Sequence, residues 1–381
     1  MAPSARASLW NPFRWSRHSL ATDINVFQRL DDYYSYAARL TQDLQGIRHK
    51  YKWTFEIDPQ VRKMQSYINK AERVFGDVAE ADGSLASVDV VAAGFPCQPF
   101  SLFGKGEGIK DLKKRRLVIF NILDTVANLD PRPRLLLFEN VYGLFSKHGE
   151  LLKTIVSFMK GLGYTVRVWA LNALHSGVCQ NRIRVWIIGL RTDCMVREPR
   201  APEPLDYLPP LRGFLDPTLS MPKPHLVKRM QKLVRKVQKI KKEKIDIAKY
   251  GAILDIGASD SYFDYSIDRC MCLTKSRAAQ FDYYVLPRES YITCDEIAAL
   301  MGVPKEYLEK LRHSNLASFR ISFGLVFVHP SRNASPDHIV IVQTMYALCI
   351  HMSKPRPTHG LLAPWATARA STCSSACCPR C

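Results

Sequence analysis

Between residues 51 and 190, short apolar runs alternate with stretches of helical periodicity, and few folds admit that alternation. Residues 54–57, 88–92, 135–138, 166–171 and 185–190 have the length and composition of strands, and residues 118–129 and 150–162 read as helices between them. Runs such as Leu135-Leu136-Leu137-Phe138 and Val185-Trp186-Ile187-Ile188 carry no polar face, as strands buried on both sides do. The expectation is an α/β domain built on a Rossmann-like, mostly parallel sheet with helices on both faces.

Prolines crowd residues 199–224 and mark a boundary. Beyond it Leu226, Met230, Leu233, Val237 and Ile240 recur at alternating steps of four and three, a narrow helical stripe. Lys228, Arg229, Lys232, Arg235, Lys236 and Lys239 stand around that stripe. A helix with one apolar seam and a basic remainder suits packing on the body while facing phosphates, although an ordinary solvated face has the same pattern.

The whole chain is basic as well: 54 Lys and Arg oppose 35 Asp and Glu, a formal charge of +19. Such an excess favours a polyanionic partner through counterion release, with nucleic acid foremost. No run of about 18 uncharged apolar residues occurs, so no membrane span is expected. The 11 cysteines form no disulfide-like framework, which points to a reduced, intracellular protein. Cys373, Cys377, Cys378 and Cys381 lie in a Ser/Ala/Pro-rich tail without histidine at ligand spacing, so a tail is expected there and no metal site. Residues 1–21 are rich in Arg, Ser and Ala and contain no acid, reading either as an organelle address or as a disordered basic leader.

The densest signal is Gly94-Phe95-Pro96-Cys97-Gln98-Pro99-Phe100-Ser101, directly after the apolar run 88–92. A cysteine here leaves the end of a buried strand between two prolines that fix the loop. Catalytic groups gather at that edge of an α/β sheet, and a thiol there is open to activation. A lone cysteine is more often a small buried hydrophobe; the seven residues around Cys97 change the odds.

This octet resembles the catalytic loop of the cytosine-C5 DNA methyltransferases. Three further segments fall in that family's order. Glu139-Asn140-Val141 follows the run 135–138, and Gln180, Arg182 and Arg184 form Gln-X-Arg-X-Arg before the run 185–190. Cys272-Leu273-Thr274 with Ser276-Arg277, and then residues 291–304 with Glu296, Leu300 and Gly302, are similar to the stretch after the family's recognition region. The resemblance spans roughly residues 30–345.

It implies the class I methyltransferase fold with a smaller target-recognition lobe, S-adenosylmethionine as cofactor, and a cytosine flipped out of double-stranded DNA as substrate. Cys97 would add to C6 as nucleophile, Glu139 would handle the proton at N3, Arg182 would contact the O2 side, and Arg184 would support the loop or Glu139. Asn140 would hold local backbone or position the Cys97 loop. For the cofactor the resemblance implies Glu56 at the ribose, Asp77 and Val78 at the adenine, and also Pro96 and Asn333. DNA contacts are expected from Gln98, Ser101, Lys105, Lys110, Lys232, Arg235 and Arg277. The expected organisation is a leader over 1–21, a catalytic and cofactor-binding domain over 22–194, and a recognition region with the basic helix over 195–268. The remainder of both follows over 269–350, with a tail over 351–381. The nucleus is the compartment such a function suggests.

Two departures bear on rival readings. Tyr33, Tyr34 and Tyr36 stand where the family places a glycine-rich turn beside the cofactor's methionine, and Arg332-Asn333-Ala334 replaces a Gly-Asn-Ser/Ala motif. A DNA-binding protein of the same fold without turnover is therefore one alternative. An RNA (tRNA) cytosine-5 methyltransferase is the other, disfavoured by the DNA-type entry Gly94-Phe95-Pro96.

Overall fold

The computed structural model describes residues 24–29, 49–59, 62, 70–81, 84–96, 118–195, 197–218, 235, 237–238, 246–258, 265–274, 277–278, 280 and 282–302. The strands of its larger sheet are β1 (Ile24–Arg29), β2 (His49–Phe55), β3 (Arg73–Phe75), β4 (Val90–Gly94), β5 (Leu135–Val141), β6 (Tyr164–Asn172) and β7 (Ile183–Arg191). They lie in the order β3-β2-β1-β4-β5-β7-β6. All pairs from β3 to β5 are parallel, whereas β7 runs antiparallel to both β5 and β6.

The continuous apolar runs have the physical reason expected of them. Along β4 and β5 successive side chains enter opposite cores: Val91, Ala93, Leu136 and Phe138 on one face, and Val90, Ala92, Leu135 and Leu137 on the other. α1 (Val118–Asn128) and α3 (Gly149–Gly161) cover the first face with Ile119, Ile122, Leu123, Ile155 and Met159. Gly189 on β7 permits that approach, since a Cβ there would stand 2.6 Å from Met159 Cε. In β2, Tyr51 and Trp53 enter opposite cores although they are two residues apart. The pairing with β1 shifts between Val26 and Phe27, so Lys52 is an extra residue and reverses the faces. Full burial of Phe138, Trp53 or Phe55 contributes about 1.5–3 kcal/mol each.

The second sheet is antiparallel, in the order β11-β10-β8-β9, from β8 (Ala252–Asp255), β9 (Tyr265–Ile267), β10 (Tyr283–Val285) and β11 (Ser290–Tyr291). One face packs Ile253, Tyr283 and Val285 against Leu211, Phe214, Leu273 and Ile297. The other gathers Ala252, Leu254, Tyr284 and Tyr291, and Val237 packs against it. Arg235, Val237 and Gln238 are helical, with Arg235 exposed and Val237 half-buried, which matches the seam-and-basic-face pattern at these positions. Of the other shorter helices, α2 (Tyr142–Ser146) follows β5, α4 (Ile247–Tyr250) precedes β8, and α5 (Cys294–Leu300) follows β11. α5 opens on a capping box in which Thr293 and Glu296 satisfy each other's backbone N–H groups. No helix among the described residues is long and apolar enough to cross a membrane.

Candidate active site

The sheet topology brings five of the sequence-predicted residues to one edge. Parallel β2, β3, β4 and β5 all end there, delivering Glu56, Asp77, Pro96 and Glu139 in turn. Because β7 is antiparallel, it begins at this edge, and Val141 of β5 pairs with Arg184 of β7. Strand order therefore does what sequence spacing cannot: it sets Arg184 beside Glu139 across 45 residues of chain.

Arg184 Nε lies 2.9 Å from Glu139 Oε1, with the two side chains only 15% and 20% exposed. Half-burial weakens solvent screening, so this ion pair is stiffer than a surface one. The other Arg184 nitrogens are engaged too, Nη1 donating to the Ile183 carbonyl at 2.8 Å and Nη2 to Cys272 Sγ at 3.9 Å.

Asn140 is buried, and its Nδ2 donates to the Phe95 carbonyl at 3.2 Å while its Oδ1 accepts from Val141 N–H at 2.8 Å. Of the two expected roles, these contacts bear on local backbone: they tie the end of β5 to Phe95, just after β4. Arg182 is held at its backbone by Asn172 Oδ1, 2.9 Å away, and its Nη1 reaches the Leu273 carbonyl at 3.3 Å and Cys272 Sγ at 3.5 Å. Gln180, also buried, donates to the Leu300 carbonyl at 3.0 Å and accepts from Leu273 N–H at 3.3 Å. The segment 180–184 is thus the junction between the two sheets.

On the neighbouring strand ends, Glu56 is buried and its Oε1 accepts from Asp58 N–H at 2.8 Å, while Arg62 Nη1 donates to the Glu56 carbonyl at 2.9 Å. Asp77 caps a short 3₁₀ turn, Oδ1 accepting from Ala79 N–H at 3.1 Å, and Val78 is buried behind it. Sequence reasoning passed over Ile57, a large apolar side chain 64% exposed beside Glu56. Its signal was an isoleucine at a strand end where the chain should already be polar. In chemistry these residues fit an adenosine: carboxylate acceptors suit ribose hydroxyls and an exocyclic amine, and an exposed isoleucine suits an apolar ring face. A cavity of about 300 Å³ is lined by Val78 and by Asn121, Asp124 and Thr125 of α1, and by none of Glu56, Glu139, Arg182 or Arg184.

Arg277 is paired with Asp255 Oδ2 and Asp282 Oδ2 at 3.4 Å each. Cys179 is fully buried, and burial pushes its thiol up to about 11, which leaves it neutral and unreactive near pH 7. Cys97, Gln98, Ser101, Lys105, Lys110, Lys232 and Asn333 lie outside the described residues, as do Tyr33, Tyr34, Tyr36 and the four terminal cysteines. Among the described residues no group of acidic, His and Cys side chains could hold a metal ion.

The family described as C-5 cytosine-specific DNA methylase matches residues 29–322. Type II methyltransferase M.NgoBI of Neisseria gonorrhoeae is 37% identical over 150 residues, which are 39% of this chain and 45% of that protein. Type II methyltransferase M.HhaI of Haemophilus parahaemolyticus is 27% identical over 249 residues, 63% of this chain and 73% of that protein. The chain thus spans less than half the length of the first of these relatives. Among solved structures, S. pombe Dnmt2 methyltransferase superposes with a TM-score of 0.51 at 13% identity, covering 87% of this chain and 98% of that one. Entamoeba histolytica methyltransferase EhMeth gives 0.54 at 16%, covering 87% and 100%. The α/β architecture with its one antiparallel strand is the class I methyltransferase fold.

Proposed function

The chain belongs to the C-5 cytosine-specific DNA methylase family, and from that premise we propose that it methylates C5 of a cytosine flipped out of double-stranded DNA, using S-adenosylmethionine and a covalent bond from Cys97 to C6. The observation that carries this reading is the Glu139–Arg184 pair at the end of β5, beside the contact of Asn140 with the Phe95 carbonyl.

Cytosine C5 is a poor nucleophile until something adds at C6. The Cys97 thiolate forms a bond to C6, and the displaced electron pair moves onto C5, with negative charge shared by N3 and O2. Glu139, oriented by Arg184 through Oε1, turns Oε2 toward the base and holds a proton at N3, which stabilises that charge. Arg182 faces the O2 side. The cofactor supplies an electrophilic methyl group when bound; Glu56 would hold its ribose, and Asp77, Val78 and Ile57 would hold its adenine. Loss of the C5 proton then expels the Cys97 thiolate from C6 and restores the aromatic ring.

Duplex containing 5-fluorocytosine tests this directly, because fluorine at C5 blocks the elimination that frees the enzyme. With S-adenosylmethionine present, a covalent protein–DNA band is expected on a denaturing gel and is expected to vanish in Cys97→Ser. No band from the parent chain, or a band that survives Cys97→Ser, overturns the covalent role.

The basic helix supports duplex DNA as the substrate. Arg235 is exposed on it while Val237 packs against the second sheet. Replacing Lys232, Arg235, Lys236 and Lys239 by Gln should flatten the salt dependence of DNA binding by up to about one unit of log–log slope per lost phosphate contact. Identical slopes for variant and parent would assign that face to solvent.

A further inference from the structure

Cys272 is used by nothing in the reaction described so far, yet its sulfur lies where the two sheets meet. It accepts from Arg182 Nη1 at 3.5 Å and from Arg184 Nη2 at 3.9 Å, from a segment about 90 residues away along the chain. Cys270, two residues earlier, turns the other way into the core and is fully buried. The alternation therefore sends one thiol inward and presents the other to the two guanidiniums.

We propose that Cys272 is a positioning residue for base handling, a shared acceptor that fixes both arginines and, through Arg184, the Glu139 carboxylate. The inference rests on the roles given above to Glu139, Arg182 and Arg184. Its physical basis is the use of the Arg184 fork. Nε holds Glu139, Nη1 holds the Ile183 carbonyl, and Nη2 has Cys272 Sγ as its partner, so the plane of the guanidinium is fixed by three acceptors on three segments. A thiol sulfur is a weak, neutral acceptor. It orients a guanidinium without the charge that would draw Arg184 away from Glu139, as a carboxylate at position 272 would. Arg182 is fixed by the same sulfur and by the adjacent Leu273 carbonyl, so a shift of this segment reaches both arginines together.

The test uses the full chain with Cys272→Ala and Cys272→Ser. Cys272→Ala should lower kcat by about tenfold, the effect of one hydrogen bond to a charged group, with KM for DNA within about twofold. Cys272→Ser, which keeps an acceptor, should recover most of the loss at an unchanged melting temperature. A kcat within about twofold of the parent in Cys272→Ala, a change in KM alone, or a serine variant as poor as alanine overturns the proposal. A parent chain that transfers no methyl group counts against the function proposed above instead. The junction is then read from binding of a duplex with a mismatched cytosine, in a double-mutant cycle of Cys272→Ala with Arg182→Gln. Non-additive losses support the shared acceptor and additive losses overturn it.

Discussion

Glu139→Gln is expected to lower the rate of methyl transfer by on the order of 10²–10⁴, with DNA affinity changed by less than about twofold. The substitution is nearly isosteric. A glutamine at this position can still offer a carbonyl oxygen to Arg184 Nε, now 2.9 Å from Glu139 Oε1, so the arrangement of β5 against β7 should persist. What disappears is the ability to hold and move a proton at the base edge, and the charge that balances Arg184. The loss should therefore fall on kcat, with KM little altered. Glu139→Asp makes the complementary change: it retains the acid but withdraws it by one methylene from Arg184, and an intermediate rate is expected. A glutamine variant that keeps more than half the parent rate would show that Glu139 serves only as the counter-ion of Arg184.

The parts of this arrangement that could be read from sequence share a physical cause. β4, β5 and β7 are buried on both faces, so they appear as unbroken apolar runs, and their existence was legible to within a few residues. β1 was not, because Asn25 and Gln28 interrupt Ile24–Arg29. The second sheet was missed for a different reason. Its strands are two to four residues long, shorter than the window any periodicity needs. Glu139, Arg182 and Arg184 were legible as motif members, but the choice of Arg184 as the partner of Glu139 depends on β7 running antiparallel, which no local pattern states. Arg277 shows another thing no local pattern states: Asp255 and Asp282, from β8 and the residue before β10, both pair with it. Cys272 carried no local signal for its place between two arginines.

Glu296→Ala should destabilise the second lobe by about 3–5 kcal/mol, the penalty of leaving a buried charge without its partner. Sequence marked Glu296 only as a motif acid at the start of α5, but its carboxylate is the centre of a network that is 4% exposed, with Arg288 6% exposed opposite it. Arg288 Nη1 donates to Oε1 and Nη2 to Oε2, the latter at 2.7 Å, a two-pronged contact. Oε1 also accepts from Asp216 N–H at 2.9 Å, and Oε2 from Thr293 N–H at 2.8 Å and Thr293 Oγ1 at 2.9 Å. Three separated segments, the end of the proline-rich stretch, the β10–β11 turn and the start of α5, are thereby tied to one side chain. Alanine would strand the Arg288 charge and two backbone donors together, so the loss should exceed that of an ordinary surface ion pair, which is about 0–1 kcal/mol. Arg288→Met with Glu296→Leu is expected to recover only part of the stability. The buried charge is gone in that pair, yet Asp216 N–H and Thr293 N–H remain without an acceptor. Chemical denaturation followed by fluorescence measures both variants. A Glu296→Ala loss below about 1 kcal/mol, or full recovery in the double variant, would show that water reaches this network and that it does not hold the lobe together.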